Sequence, residues 1–131
     1  MPTRIVIAGA GPARITVAET LRARDRDCDI TLLSAEPYPP YAPPAMADHF
    51  LHQRDDALYW KGRDVCERLG LDFRSSCHIR SLDTTARQLH LADATTLAYD
   101  KLVIATGAGL YAPVPGNDLP GIYNFKSLSA A

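Results

Sequence analysis

The sequence predicts an α/β fold in which a parallel sheet carries an inserted antiparallel β-meander. Three observations lead to this prediction: apolar strand-like runs at residues 5–8 and 102–105, a glycine-rich turn and amphipathic helix after the first run, and short alternating runs between the two. The 131 residues match the size of one domain. A domain of this size buries roughly two-thirds of its unfolded surface.

The first third of the chain has the pattern of a βαβ unit. Residues 5–8 are apolar and mostly β-branched, which is typical of a strand buried on both faces of a parallel sheet. A helix is predicted from Gly11 onward, because Pro12 suits a first turn and Val17 and Leu21 repeat at helical spacing. Residues 29–33 predict the second strand, and this unit of about thirty residues should be right-handed.

The segment that follows the second predicted strand is rich in proline. Residues 37–44 contain five of the chain's ten prolines, which predicts a stiff extended loop directly after the second strand. Helices are predicted over 45–51 and 55–69, the second ending at Gly70. Tyr38, Tyr41, Tyr59 and Trp60 could line a ring-binding pocket, although aromatic residues beside a helix more often belong to the core.

The second half has a different pattern. Short alternating runs over 71–74, 77–83, 87–92 and 96–99 predict one short strand followed by a meander. Residues 102–105 return to the buried-strand pattern, which stops at Thr106-Gly107. The remaining segment, 109–131, is rich in proline and glycine and predicts an exit linker.

Composition excludes several classes of function. The net charge is −1 with 22% charged residues, which argues against a nucleic-acid or membrane-surface binder. No apolar run resembles a signal peptide or a membrane span, so a cytoplasmic protein is expected. Three cysteines without paired spacing predict structural thiols. His49 and His52 lack a third ligand at useful spacing, so no metal site is predicted.

The stretch GAGPAR, from Gly9 to Arg14, predicts a nucleotide-binding turn. Such a turn binds phosphate because the following helix presents free N–H groups, Gly9 permits the tight turn and Gly11 permits close approach. Glu36 lies 22 residues beyond Arg14, near the separation of about 20 at which a carboxylate accepts the ribose hydroxyls and disfavours a 2′-phosphate. The alternative for Glu36 is a solvated surface residue.

The chain resembles the FAD-binding domain of the pyridine nucleotide-disulfide oxidoreductase superfamily, in its rubredoxin- and ferredoxin-reductase-like branch. The resemblance lies in RIVIAGAGPA, ITLLSAEPYPPY and YDKLVIATGA, followed by the PVPG of residues 113–116, and it covers nearly the whole chain. It implies a Rossmann-like FAD-binding half-domain. It also implies a flavoprotein oxidoreductase whose flavin passes electrons from NAD(P)H to an acceptor such as a small iron protein or a disulfide.

The resemblance also implies a role for each matching residue. The FAD pyrophosphate would be wrapped by Gly9, Gly11, Pro12 and Ala13. The adenosine ribose would be held by Glu36, and the adenine would meet the backbone at Ile79. A second turn against the cofactor would be formed by Ala105, Thr106 and Gly107. No catalytic residue is assigned in this chain.

Two residues depart from the family pattern. Arg14 replaces a glycine or alanine that lets the helix pack closely on the sheet. Its guanidinium could pair with the pyrophosphate, or its bulk could obstruct the turn, and the sequence leaves both alternatives open. Pro43 stands where the family has an arginine near the flavin, and loss of that charge should lower the reduction potential or slow turnover.

The chain stops at Ala131, where the family would begin its NAD(P)H-binding domain. We therefore expect residues 1–131 to be a partial FAD-binding domain, without NAD(P)H-binding and interface domains and inactive alone. An alternative is a diverged, non-catalytic scaffold that self-associates through an uncovered sheet edge or needs a partner subunit. A third interpretation, a plain NAD-binding domain, is disfavoured by the meander and the ATG turn.

Overall fold

A computed structural model describes residues 1–109 and 111–131. In chain order its elements are strand β1 (Arg4–Ala8), helix α1 (Pro12–Arg24), strand β2 (Asp29–Leu33), a 3-10 turn (Pro43–Ala45), helices α2 (Met46–His52) and α3 (Val65–Arg68), and strands β3 (Asp72–Arg74), β4 (Ile79–Asp83), β5 (Gln88–Leu91), β6 (Thr96–Ala98) and β7 (Lys101–Ile104). Four of these strands form one sheet and three form another.

The larger sheet is parallel and has the strand order β3-β2-β1-β7. Strand β1 lies in the middle, paired with β2 along its whole length and with β7 from Ile5 onward. Side chains of a strand alternate between the two faces of a sheet, and both faces are covered here. The predicted continuous apolar run at residues 5–8 is therefore confirmed as a doubly buried strand.

The two faces of the parallel sheet carry separate cores. On one face Ile5 and Ile7 pack with Ile15 and Ala18 of α1. On the other face Val6 and Leu33 pack with meander residues, among them Leu89. The meander is the antiparallel sheet β4-β5-β6. The predicted fold class, a parallel sheet with an inserted antiparallel meander, is confirmed.

The helix predicted over 55–69 is wrong except for its last turn, α3. Gly62 has φ +84°, a left-handed conformation that a right-handed helix cannot contain. The two ends of the segment also belong to different cores, since Leu58 packs with Tyr41 and Met46 while Val65 packs beneath α1. One straight helix could not bury both ends, and the chain turns between them instead.

The segment over residues 111–131 folds back toward the body of the protein. Its described residues, 111–131, form turns and contain neither helix nor strand. Leu128 packs against the cluster of Tyr41, Met46, Leu58 and Tyr59. In the described parts of the chain no helix is both long enough and apolar enough to cross a membrane.

Candidate functional site

The carboxyl ends of β1, β2 and β7 open into a cleft of about 600 Å³. Its walls are the turn after β1, the loop that runs from Leu33 to Pro43, the turn over residues 106–109, and the segment entering β4. Part of the returning C-terminal segment, namely Asn124, Lys126 and Ser127, completes the lining. Open parallel sheets bind ligands at this edge, because the strands end there and their loops diverge.

The turns after β1 and β7 touch each other at Gly9. This glycine has φ +112°, and a Cβ atom there would lie 2.6 Å from the carbonyl oxygen of Ala105. Hydrogen bonds hold the arrangement, since the Gly9 amide donates to the Leu33 carbonyl at 2.8 Å and the Ala105 amide donates to the Ala8 carbonyl at 3.0 Å. Only glycine fits this conformation and this approach.

Helix α1 begins at the edge of the cleft with its positive end uncompensated. Gly11 is the N-cap, Pro12 is the first helical residue, and within the described residues no side chain caps the helix and its first turn contains no acidic residue. The N-terminus of a helix carries a partial positive charge and free N–H groups. This end of the cleft is therefore suited to a negatively charged group.

The side chain of Arg14 lies inside the cleft. A Cβ atom at Gly9 would lie 2.6 Å from its Nε, and one at Gly107 would lie 3.1 Å from its Nη2. A Cβ atom at Gly11 would collide with its Nη1. The guanidinium thus fills the space left by three glycines of two turns. Its buried Nε has no hydrogen-bond partner among the described residues, and burial lowers the pKa of Arg14.

Glu36 receives hydrogen bonds on both carboxylate oxygens. The Tyr41 hydroxyl donates to Oε2 at 2.7 Å, and the amide and hydroxyl of Ser129 donate to Oε1 at 3.0 and 2.8 Å. The Tyr41 oxygen in turn accepts the Leu128 amide at 2.9 Å. Burial, followed by the hydrogen bond to Glu36, raises the pKa of Tyr41. Glu36 is therefore not a free surface residue but the centre of a small network.

The cleft brings together seven of the ten residues assigned from the sequence. Those that line it are Gly9, Gly11, Arg14, Glu36, Ile79, Thr106 and Gly107. The other three, Pro12, Ala13 and Ala105, flank the two turns without lining the cleft. Pro43 also lines it, as do Tyr38 and Tyr41.

Sequence reasoning missed the contribution of the C-terminal segment. Lys126 lines the cleft, and its ammonium donates hydrogen bonds to the carbonyls of Ala108 and Gly109, the latter at 3.1 Å. No periodicity or motif marks Lys126 or Ser129 in the sequence. Only the return of the chain places Lys126 in the cleft and Ser129 against Glu36.

The His49 side chain has a partner other than a metal. The His49 Nδ1 lies 2.6 Å from the Asp55 carboxylate, and His52 is exposed. In the part of the chain that the structure describes, no three His, Cys, Asp or Glu side chains are grouped so as to hold a metal ion.

Comparison with known sequences gives relatives along the whole chain. A sequence profile of the pyridine nucleotide-disulphide oxidoreductases matches residues 3–131. The chain is 35% identical to a probable ferredoxin reductase, CtmF, of Castellaniella defragrans, over 98% of this chain and 32% of that protein. It is 32% identical to rhodocoxin reductase of Rhodococcus erythropolis, over 97% of this chain and 30% of that protein. The chain spans about a third of the length of these relatives.

Solved structures agree with the sequence comparison. The ferredoxin reductase for the CYP199A2 system of Rhodopseudomonas palustris superposes with a TM-score of 0.83 at 29% identity, over 97% of this chain and 32% of that one. Putidaredoxin reductase, in its covalent complex with putidaredoxin, gives a TM-score of 0.78 at 27% identity, over 88% of this chain and 28% of that one.

The parallel sheet and the glycine turn at its carboxyl edge define a Rossmann-like α/β fold. The chain belongs to the pyridine nucleotide-disulphide oxidoreductase family, and its relatives lie in the ferredoxin-reductase-like branch. The resemblance that the three sequence segments indicated is confirmed.

Proposed function

We propose that this chain is the FAD-binding portion of a flavin-dependent NAD(P)H oxidoreductase that passes electrons to a small redox acceptor. The observation that carries the proposal is the meeting of two glycine turns at the carboxyl edge of the sheet, with Glu36 on the neighbouring loop. The named relatives, which include ferredoxin and rhodocoxin reductases, support the electron-transfer class. Residues 1–131 would then be one part of the architecture that those longer proteins have.

Each group of residues around the cleft would hold a different part of the cofactor. The pyrophosphate would approach Gly9 and Gly11 and the start of α1, where missing Cβ atoms and free amides favour an anion. Glu36 would accept the ribose hydroxyls, and the backbone at Ile79 would meet the adenine. Bound FAD would supply the redox chemistry, while this chain supplies its position and its electrostatic surroundings.

The charges of the cleft support an anionic ligand. The ionised side chains that line its described walls are Arg14, Lys126 and Glu36. Two cations and a helix N-terminus thus outweigh one carboxylate, which suits the two negative charges of a pyrophosphate.

The proposal is tested by titrating FAD into the purified chain and following the flavin fluorescence. We expect a dissociation constant below about 10 μM, which corresponds to roughly 7 kcal/mol. FMN, which lacks the adenosine and one phosphate, should bind much more weakly, and NAD should compete poorly. Failure of both wild type and Arg14→Ala to bind FAD, while both unfold cooperatively, would overturn the proposal.

A second candidate function is a scaffold that self-associates. It is favoured by the edge strand β7, where Ile104 is 65% exposed, and by exposed Tyr123 and Phe125 in the returning segment. Exposed apolar surface beside an unpaired strand edge favours association. Light scattering over a range of concentrations tests it, because a dimer that Ile104→Lys dissociates is expected. A monomer at all concentrations would exclude this candidate.

A further inference from the structure

The geometry points to Arg14 as the closing group of the phosphate cradle, the space beside Gly9, Gly11 and Gly107, because its guanidinium occupies the room that a pyrophosphate needs. Binding of a dinucleotide then requires this side chain to leave. The inference concerns regulation of the same cleft and rests on the proposed function. Of the two alternatives that the sequence left open for Arg14, pairing with the pyrophosphate or obstruction of the turn, obstruction is inferred.

The guanidinium of Arg14 lies against both glycine turns. Its three nitrogens lie against Gly9, Gly11 and Gly107, which come from two different turns. A phosphate can approach a backbone closely only where Cβ atoms are absent, and here the side chain of Arg14 takes that room. A phosphate group and the guanidinium cannot occupy the same volume at the same time.

Few interactions hold the guanidinium in this place. Its Nε lacks a hydrogen-bond partner among the described residues. The carboxylate that lines the described walls of the cleft, Glu36, is engaged by Tyr41 and Ser129 instead. The adjacent helix N-terminus repels a cation. Burial without an ion pair disfavours the charged form, in accord with the lowered pKa of Arg14.

Arg14 is therefore a competitor for the cleft and not a permanent block. Only molecules with the side chain displaced can bind, so the apparent dissociation constant equals the intrinsic one divided by the displaced fraction. If about one molecule in ten is displaced, affinity falls about tenfold. Removing the side chain should restore that factor for every ligand that carries the phosphates, and for no other ligand.

The test uses three ligands and matched variants. FAD, ADP and adenosine are titrated by calorimetry into wild type, Arg14→Ala and Arg24→Ala, a control that removes an exposed arginine at the other end of the same helix. We expect Arg14→Ala to bind FAD and ADP about tenfold more tightly than wild type. Adenosine, which has no phosphate, should bind all three proteins equally.

Arg14→Met adds a second variant, which keeps the unbranched stem of the side chain and removes the guanidinium with its charge. If the guanidinium closes the cradle, Arg14→Met should bind FAD and ADP more tightly than wild type, as Arg14→Ala does. This comparison also holds should Arg14→Ala fail to fold.

Two results would overturn the inference, and they differ. Weaker binding of FAD and ADP by both Arg14→Ala and Arg14→Met would show that the guanidinium pairs with the pyrophosphate, while the proposed function stands. Absence of FAD and ADP binding in every folded variant would reject the proposed function, and the inference with it.

Discussion

The carboxylate of Glu36 and the residue Ser129 are 93 positions apart, yet two hydrogen bonds join them. The Ser129 amide donates at 3.0 Å and its hydroxyl at 2.8 Å, both to Oε1. In the proposed function this carboxylate would accept the ribose hydroxyls. The C-terminal segment therefore engages the same acceptor that the cofactor would need.

Ser129→Ala should strengthen FAD binding. The substitution removes the hydroxyl donor and leaves the amide, so one of two competing hydrogen bonds to Oε1 is lost. A hydrogen bond of about 1 kcal/mol corresponds to a gain of about fivefold in affinity. Fluorescence titration measures it, with Ser75→Ala, an exposed serine outside the cleft, as the control. Unchanged affinity in Ser129→Ala would contradict the competition.

Glu36→Gln should weaken FAD binding by about tenfold or more, because a hydrogen bond to a charged acceptor contributes about 1.5–3 kcal/mol. The same titration measures the change. Glu67→Gln, an exposed glutamate on α3 outside the cleft, should bind like wild type. FMN, which lacks the adenosine ribose, should not distinguish Glu36→Gln from wild type, and a loss for FMN equal to that for FAD would contradict the ribose role.

Cys77 should be protected from alkylation when the cleft is filled. It is half-buried and lines the cleft, whereas Cys28 and Cys66 are buried. Burial also raises the pKa of Cys66 to about 11, which keeps it protonated and unreactive at neutral pH. We expect one thiol to react with iodoacetamide, and FAD to slow that reaction. Mass spectrometry identifies the site, and Cys77→Ser should abolish the signal. Reaction at Cys77 that FAD leaves unchanged would contradict this position for the ligand.

Arg22→Ala should destabilise the fold without affecting the cleft. The Arg22 guanidinium donates to the carbonyls of Leu69, Gly70, Arg26 and Cys28 at 2.8–3.0 Å. It thereby joins the end of α1 to the turn before β3. Loss of these charged donors should cost about 2 kcal/mol of unfolding free energy in urea. Arg26→Ala, at an exposed position nearby, is the control and should change it by less than about 0.5 kcal/mol.

Asp100 should make the free energy of unfolding depend on pH in the acid range. Its carboxylate accepts hydrogen bonds from the Arg4 amide at 2.8 Å and from the Arg4 guanidinium, and these lower the pKa of Asp100 to about 2. The pKa of this carboxyl group is about 3.9 in the unfolded chain and lower in the folded protein. The charged carboxylate therefore stabilises the folded protein at a pH above about 3.9. That contribution disappears as the pH falls from about 4 to about 2.

The measurement compares Asp100→Asn with wild type by urea unfolding. The difference between their midpoints should be present at pH 6 and shrink below pH 4. Asp29→Asn, at an exposed position on β2, should show no such convergence. A difference that is constant from pH 6 to pH 2 would contradict the ion pair as its source.

Burial explains which elements were predictable. The strands β1, β2 and β7 agree with prediction to within one residue, because each contains an apolar run that stands out in the sequence. In β1 that run reflects burial on both faces of the sheet. The prediction of one helix over 55–69 was wrong, because the apolar residues of this segment pack into two different cores. Periodicity alone does not say which core each residue joins. Gly62, with its positive φ, marks the break.

By itself the sequence determined the order of the elements, the parallel sheet, the meander and the family. These depend on local patterns of apolar and glycine residues that are visible in the amino-acid sequence. Only the tertiary structure decided how the cleft is filled. The guanidinium of Arg14 has many rotamers, and its place against three glycines depends on two turns that are 96 residues apart, from Gly11 to Gly107. The contact between Ser129 and Glu36 likewise depends on a segment whose composition predicts nothing about where it returns.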